Sequence, residues 1–433
     1  MSREKKIVWG TGLFAVLLWI IDIIWRYKTS DWGVWLWRKE MINLTGIIAF
    51  VMMGVIMLLA LRPKFLEPLF QGLDKIYYVH KWLGIWSIIA VVLHYGMKLS
   101  KSILQPYFEK GPKLGGDKLA LLEDYRPYAK DAGEILFYLF VITLIITLLK
   151  RLPYRFWRWT HKIMGLLFLV VVFHSVVLAP ARYWNEPVGI VFALISLVGI
   201  YASIISLFGL IGKKRQYAGI ITGLEYQGDV TLATCQAEKG WMHQAGQYAF
   251  IRHSDSHESH PYTIASDDAG DQTVRFAIKA LGHYTSQIQA TWKVGDKVRL
   301  EGPYGQFFFL HSPLPKQVWI AGGVGITPFI AWMESLQGQQ CEKEIHLYYC
   351  VNAEKEYLVP EYLQELATSV GITLHPHCSD EKGFLESDAL PIDAETSVWF
   401  CGPSGFAKSI QKSIKAKGLS VTKHFHREYF DMR

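Results

Sequence analysis

Four histidines stand inside long apolar runs of this 433-residue chain: His80, His94, His161 and His174. An ionisable side chain in such a run is costly to bury and marks function more often than packing. Their surroundings repeat. His80 opens the string HKWLG and His161 opens HKIMG, whereas His94 and His174 close the runs VVLH and VVFH. The spacings are 14 and 13 residues, roughly 20 Å along a helix at about 1.5 Å per residue. Facing imidazoles at two such levels could hold two haem irons, one above the other, within a hydrocarbon core of about 30 Å. His80 would pair with His161 at an inner level and His94 with His174 at an outer one. Two axial imidazoles leave no open iron position, which suits electron transfer. A 14-residue step returns to nearly the same helix face. A 13-residue step, at about 100° per residue, does not, so a bend or bulge between His161 and His174, or a different approach to the ring, must absorb the difference. Lys81 and Lys162 follow the inner histidines, where they could neutralise haem propionates or simply snorkel to the interface. Gly84 and Gly165 would let a bulky ring approach one turn further on.

A second group of motifs follows in the C-terminal half. HPYT (His260, Pro261, Tyr262, Thr263) supplies an aromatic and hydrogen-bonding groups of the types a flavin ring needs. KALGHYTSQI, with Lys279, Gly282 and Thr285, places a glycine-bearing turn before a helix start, a site for a diphosphate. EGPYGQF supplies a Gly-Pro turn. In AGGVGITPF, Gly322, Gly323 and Gly325 would let backbone approach a pyrophosphate, and Thr327 and Pro328 open a helix. This departs from the usual G-x-G-x-x-G fingerprint. Cys401, Gly402 and Pro403 end a later strand, where the thiol could meet a nicotinamide ring or fill the core.

The elements that must carry these residues divide the chain in two. Apolar stretches at about 7–26, 42–61, 76–97, 133–149, 159–179 and 187–211 meet or approach the roughly 20 residues needed to span a bilayer. A six-helix transmembrane bundle over residues 1–212 is expected, with both termini on one side. The first run is long and lacks a small-residue cleavage site, so it reads as a retained helix rather than a signal peptide. Trp and Tyr cluster near span ends, as at bilayer interfaces. After Lys213–Arg215 the texture changes to short alternating segments, an antiparallel β-barrel pattern over 213–312. From 313 to 433 it becomes strand–loop–helix, an α/β nucleotide-binding unit. The Lys/Arg bias between loops is nearly balanced. The five cysteines, all beyond residue 212 and an odd number, fit a reducing compartment. The nucleotide chemistry therefore points to a cytosolic C-terminal half, hence cytoplasmic termini. The net charge of +7 is spread along the chain, favouring a lipid membrane and soluble anions over nucleic acid.

In this order, the paired histidines, HPYT, LGHYT, GPYG, GGVGITP and CGP resemble the transmembrane ferric reductase and NADPH oxidase superfamily over nearly the whole chain. The resemblance implies two b-type haems, FAD and NADPH (or NADH), with O2 or a ferric chelate reduced on the opposite side. It places Tyr262 and Thr263 on the isoalloxazine, His260 where soluble reductases often carry a phosphate-binding Arg, and the glycine loop with Cys401–Pro403 around the nucleotide. It also implies an aromatic near the C-terminus over the flavin, Phe430 with Tyr429 as rival. Relatives that use NADPH often carry an Arg after the second nucleotide-domain strand. Here Val351 and Asn352 stand there, with Lys355 between Glu354 and Glu356. No EF-hand pattern or peroxidase domain is present. Delivery to a quinone or a partner protein is a rival reading, as is a haem-holding scaffold or channel without catalysis. On the acceptor side, Lys98, Lys101, Lys110, Lys113, Lys118, Arg126, Lys130 and Arg182 could steer an anionic chelate, diluted by Glu109, Asp117, Glu123, Asp124 and Asp131.

Overall fold

Long apolar runs free of helix breakers fold as helices because each satisfies its own backbone polar groups, the requirement for crossing lipid. The computed structural model describes residues 2–26, 33–109, 118–148, 154–256 and 258–428. Among the described residues, five helical segments are long and apolar enough to cross a membrane: Arg3–Ile24, Val34–Ala60, Leu73–Leu104, Trp159–Leu178 and Pro187–Leu207. The remaining expected span falls on the 23-residue helix Arg126–Leu148. The 32-residue Leu73–Leu104 helix carries Asp74 in its first turn and Lys101 in its last, each complementing the helix dipole. Pro187 begins its helix at a position where a missing N–H costs nothing.

A bend is present between His161 and His174. Helix Tyr154–Lys162 stops, and helix Met164–Leu178 begins one residue later. The Ile163 N–H bonds the Thr160 carbonyl, a step of three residues rather than four. His161 and His174 therefore sit on separate helices, and the phase of a single ideal helix does not bind them.

Two compact units emerge. One comprises Met1–Leu66 and Ile76–Ile211; the other comprises Glu67–Lys75 and Gly212–Arg433. The second unit holds two sheets. Strands β1 (Gln216–Gln227), β2 (Val230–Ala237), β3 (Tyr248–His253), β4 (His260–Thr263), β5 (Thr273–Lys279) and β6 (Lys297–Tyr304) form an antiparallel sheet in the order β4-β3-β6-β1-β2-β5. An Ile264–Phe276 bridge joins the two ends of that order. Strands β7 (Lys316–Gly322), β8 (Glu344–Val351), β9 (Thr373–Cys378), β10 (Thr396–Cys401) and β11 (Phe425–Arg427) form a parallel sheet ordered β11-β10-β7-β8-β9. Every residue of β10 is buried, as expected for a central strand covered on both faces. Strand order reverses between β7 and β10, and such switch points are where open α/β sheets bind ligands.

The short segment Glu67–Lys75 is tied into this second unit by a buried carboxylate. Glu67 accepts the Gly305 N–H at 2.8 Å and pairs with Arg215 at 3.2 Å, while Arg215 lies over the Tyr304 ring. Removing one partner of a buried pair strands the other charge. Glu67→Ala should destabilise this unit by about 3 kcal/mol, read as an earlier thermal transition, whereas exposed Glu238→Ala should leave it in place.

Candidate functional site

The helical unit brings the four histidines together in the expected pairs. The His80 and His161 ring centroids are 6.0 Å apart, and those of His94 and His174 are 6.3 Å apart. Imidazoles on opposite sides of one metal, each bound through nitrogen at about 2.0 Å, have centroids about 6 Å apart. Both pairs fit a haem iron. Three of the four rings are anchored to backbone. His94 Nδ1 meets the Ile42 carbonyl at 3.0 Å, and His174 Nδ1 meets the Ala129 carbonyl at 2.7 Å. His80 hydrogen-bonds the Ile56 backbone. An Nδ1–H donated to a carbonyl leaves the Nε2 lone pair for a metal.

Two glycines outside the histidine strings admit the imidazoles. A Cβ on Gly133 would lie 2.3 Å from the His174 ring, and one on Gly46 would lie 3.3 Å from His94. Gly165 instead faces the Ser203 backbone and Leu207, making it a helix-packing residue, while the space beside Gly84 is open. No local signal ties Gly46 or Gly133 to histidines 40 to 50 residues away. A cavity lies between the outer pair, with Asn43, Gly46, Phe50, Gly133, Ser175 and Tyr183 on its wall.

In the second unit HPYT is strand β4, paired with β3 so that Thr263 faces Tyr248 and His260 faces Ile251. The His260 ring stacks on Tyr284 at 4.3 Å and contacts Glu258 at 3.1 Å. The Tyr262 hydroxyl is out of solvent without a hydrogen-bond partner among the described residues, and burial raises its pKa far above that of an ordinary phenol. A flavin ring and its polar edge would complete such a place. The Thr285 hydroxyl accepts the N–H groups of Leu281 and Gly282, both at 2.9 Å. Those two donors are thus already engaged within the LGHYT turn. Lys279 lies 3.7 Å from Asp229 and 3.6 Å from Glu356.

The nucleotide motifs sit at the switch point. Cys401 on β10 is level with Ala321 on β7. A Cβ on Gly325 would come within 2.2 Å of the Cys401 carbonyl, and one on Gly322 within 2.7 Å of Pro403. These glycines let two strand-end turns touch backbone to backbone. Gly323, at φ +56° with open space around it, is the one left for a phosphate to approach. Thr327 donates to the Val324 carbonyl and is buried with Pro328 at the start of helix Thr327–Leu336. Cys401 is buried, and burial, then nearby Glu428, pushes its thiol well above the usual range. Burial thus disfavours its thiolate. Tyr429 and Phe430 lie outside the described residues.

Sequence reasoning passed over Glu428, the one acid in HREYF. Both carboxylate oxygens are out of solvent with no hydrogen-bond partner among the described residues. One lies 3.1 Å from where a Gly305 Cβ would stand. Burial, then the charge of Asp74, holds this carboxyl far above the ordinary range.

With this geometry, three family matches fall in place. Residues 45–172 match the ferric reductase like transmembrane component, residues 225–307 an FAD-binding domain, and residues 319–412 an oxidoreductase NAD-binding domain. The chain thus joins a ferric reductase like transmembrane component to FAD-binding and NAD-binding oxidoreductase domains, the make-up of a multi-pass membrane oxidoreductase. Among particular relatives, dual oxidase 2 of Sus scrofa is 22% identical over 93% of this chain and 27% of its own length. The toluate 1,2-dioxygenase electron transfer component of Pseudomonas putida is 26% identical over 42% of this chain, which spans 58% of that protein. The crystal structure of flavohemoglobin from Malassezia yamatoensis covers 90% of this chain and 98% of its own at 17% identity and TM-score 0.50, a likeness of fold alone.

Glu428 generates a pH prediction. Its folded-state pKa lies above the unfolded value of about 4.3. The folded chain then keeps a proton that the unfolded chain releases, so stability falls as pH rises from there toward the folded pKa. Glu428→Gln cannot ionise. It should unfold at a higher temperature than the parent at pH 8, with the gap closing toward pH 4.5, measured by flavin fluorescence on heating. A gap independent of pH would contradict this.

Proposed function

We propose that the chain passes electrons from NAD(P)H through FAD and two b-type haems across the membrane to ferric iron or O2. The observation that carries this reading is the pairing of four apolar-helix histidines at ring separations of 6.0 and 6.3 Å. His80 and His161 hold the inner haem and His94 and His174 the outer one. Bound FAD would supply hydride acceptance, and haems held by the two histidine pairs would supply one-electron transfer. The chain's own residues bind, orient and exclude water. Tyr262 and Thr263 would contact the isoalloxazine, with Phe430 or Tyr429 as its aromatic cover, and His260, together with Lys279, Gly282 and Thr285 on exchange of their present partners, would serve the diphosphate side. Gly323 and the start of the Thr327–Leu336 helix receive the nucleotide phosphates. The buried neutral Cys401 gives the nicotinamide a water-free wall. The domains are 1–212, a six-helix bundle, 213–312, an antiparallel barrel closed near Ile264, and 313–433. Both termini are cytoplasmic.

Three of the eight candidate steering cations are paired with carboxylates. Arg182 is bound by Asp22 at 2.7 Å and lies 3.5 Å from Glu40, Lys98 pairs with Glu134, and Lys118 pairs with Glu123. Lys110 and Lys113 lie outside the described residues. Cations already paired with carboxylates add little attraction at a distance, so reduction of an anionic ferric chelate should depend on salt no more steeply than superoxide formation does.

The ligand assignment is tested by His94→Ala. About half of the b-type Soret absorbance should be lost, because one of two sites loses an axial ligand. Flavin reduction by NAD(P)H should survive and transfer to an outside acceptor should collapse. Two haems retained per chain would refute the assignment.

A further inference from the structure

The end of the nucleotide domain that must receive the adenosine ribose carries the wrong charge for a 2′-phosphate. Dinucleotides lie across the carboxyl ends of parallel strands, where an Asp or Glu binds the free ribose hydroxyls of NAD and an Arg accommodates the extra phosphate of NADP. In this sheet β8 and β9 run side by side, with Val351 level with Cys378 at their carboxyl ends. The loops that follow are joined: the Asn352 carbonyl accepts the Asp380 N–H at 2.9 Å and the Cys378 thiol at 3.1 Å. These connections, residues 352–357 with a 3-10 turn at Glu354–Glu356 and the one-turn helix Ser379–Lys382, hold Glu354, Glu356, Asp380 and Glu381 against only Lys355 and Lys382. Asp380, Glu381 and Glu354 are exposed. Tyr357 lies between the loops. Burial, followed by Cys378, Cys350, Glu354 and Glu381, raises its phenol to about 12.

Apart from Lys355 and Lys382 in the same turns, the cations that could offset these carboxylates are missing from the domain or engaged elsewhere. No arginine occurs between Arg299 and Arg427, so the whole nucleotide-binding domain up to its last strand lacks a guanidinium fork. That fork is the group best matched to a phosphate. From the antiparallel sheet, Arg275 is held by Glu334, and Lys279 is shared between Asp229 and Glu356.

We propose that this chain oxidises NADH in preference to NADPH, and that Asp380 and Glu381, supported by Glu354, are the residues that set this specificity. Their carboxylates accept hydrogen bonds from the ribose hydroxyls and repel a phosphate in the same place. The inference rests on the proposed function in taking the nucleotide to be the electron donor.

The test uses the full chain in detergent, loaded with FAD and haem. Calorimetry compares NAD+ with NADP+ binding, and anaerobic stopped flow follows flavin reduction by NADH and NADPH. NAD+ should bind about tenfold more tightly or better, since like charges brought together at a binding site cost several kcal/mol. The double variant Asp380→Ser, Glu381→Arg should move the NADPH/NADH ratio of kcat/KM toward NADPH by at least about tenfold. Equal or tighter binding of NADP+ by the parent chain overturns the inference, whatever the turnover. Tighter NAD+ binding with no flavin reduction by NADH upholds the nucleotide preference and overturns the proposed function instead.

Discussion

The helical unit depends on holding imidazoles in an apolar interior with their ring nitrogens committed in opposite directions. A buried polar group without a partner is expensive. Here the outward nitrogens of His94 and His174 are met by the carbonyls of Ile42 and Ala129. The rings of each pair then stand 6.0 and 6.3 Å apart, centroid to centroid, a gap of the size a bis-imidazole iron fills. Much else follows from that gap. Gly46 and Gly133 give up their side chains to it, and the helix carrying His161 is broken at Ile163 so that both of its histidines reach their partners.

The reductase unit answers a different constraint, that of bringing two strand-end turns together at a sheet switch point. Gly322, Gly325 and Gly402 permit backbone contact between the turns after β7 and β10. The sequence motif GGVGITP is therefore partly a packing motif, with only Gly323 standing open. The buried Trp319, Trp332 and Trp399 cluster beneath it makes the platform rigid, with Trp332 also donating to the Ala245 carbonyl. Glu67, Asp74 and Glu428 add three acids around Gly305 and the C-terminal strand, a more polar setting than the apolar walls nearby.

Local pattern made much of this visible beforehand. Long apolar runs, alternating segments and strand–loop–helix order give the two kinds of unit, and the repeated HKWLG and HKIMG strings give the histidine pairs. The mismatch between 14- and 13-residue spacings calls for a bend, a bulge or a different approach to the ring, and the fold supplies the bend at Ile163. Other features arise only when distant segments meet. Gly133 matters because His174 packs on it, Glu67 because Gly305 needs an acceptor, and Glu428 because the chain end folds beneath Gly305. Lys279 and Arg182 looked like free cations in sequence, but carboxylates at Asp229, Glu356, Asp22 and Glu40 engage them in the fold.

The account turns on two bis-imidazole iron sites in one chain. Low-temperature electron paramagnetic resonance of the oxidised, purified protein, with haem counted against protein, tests this most directly. The account predicts two low-spin ferric haems per chain and no high-spin signal, because every axial position is taken by a histidine. A single haem per chain, or a high-spin signal of comparable size, would contradict it.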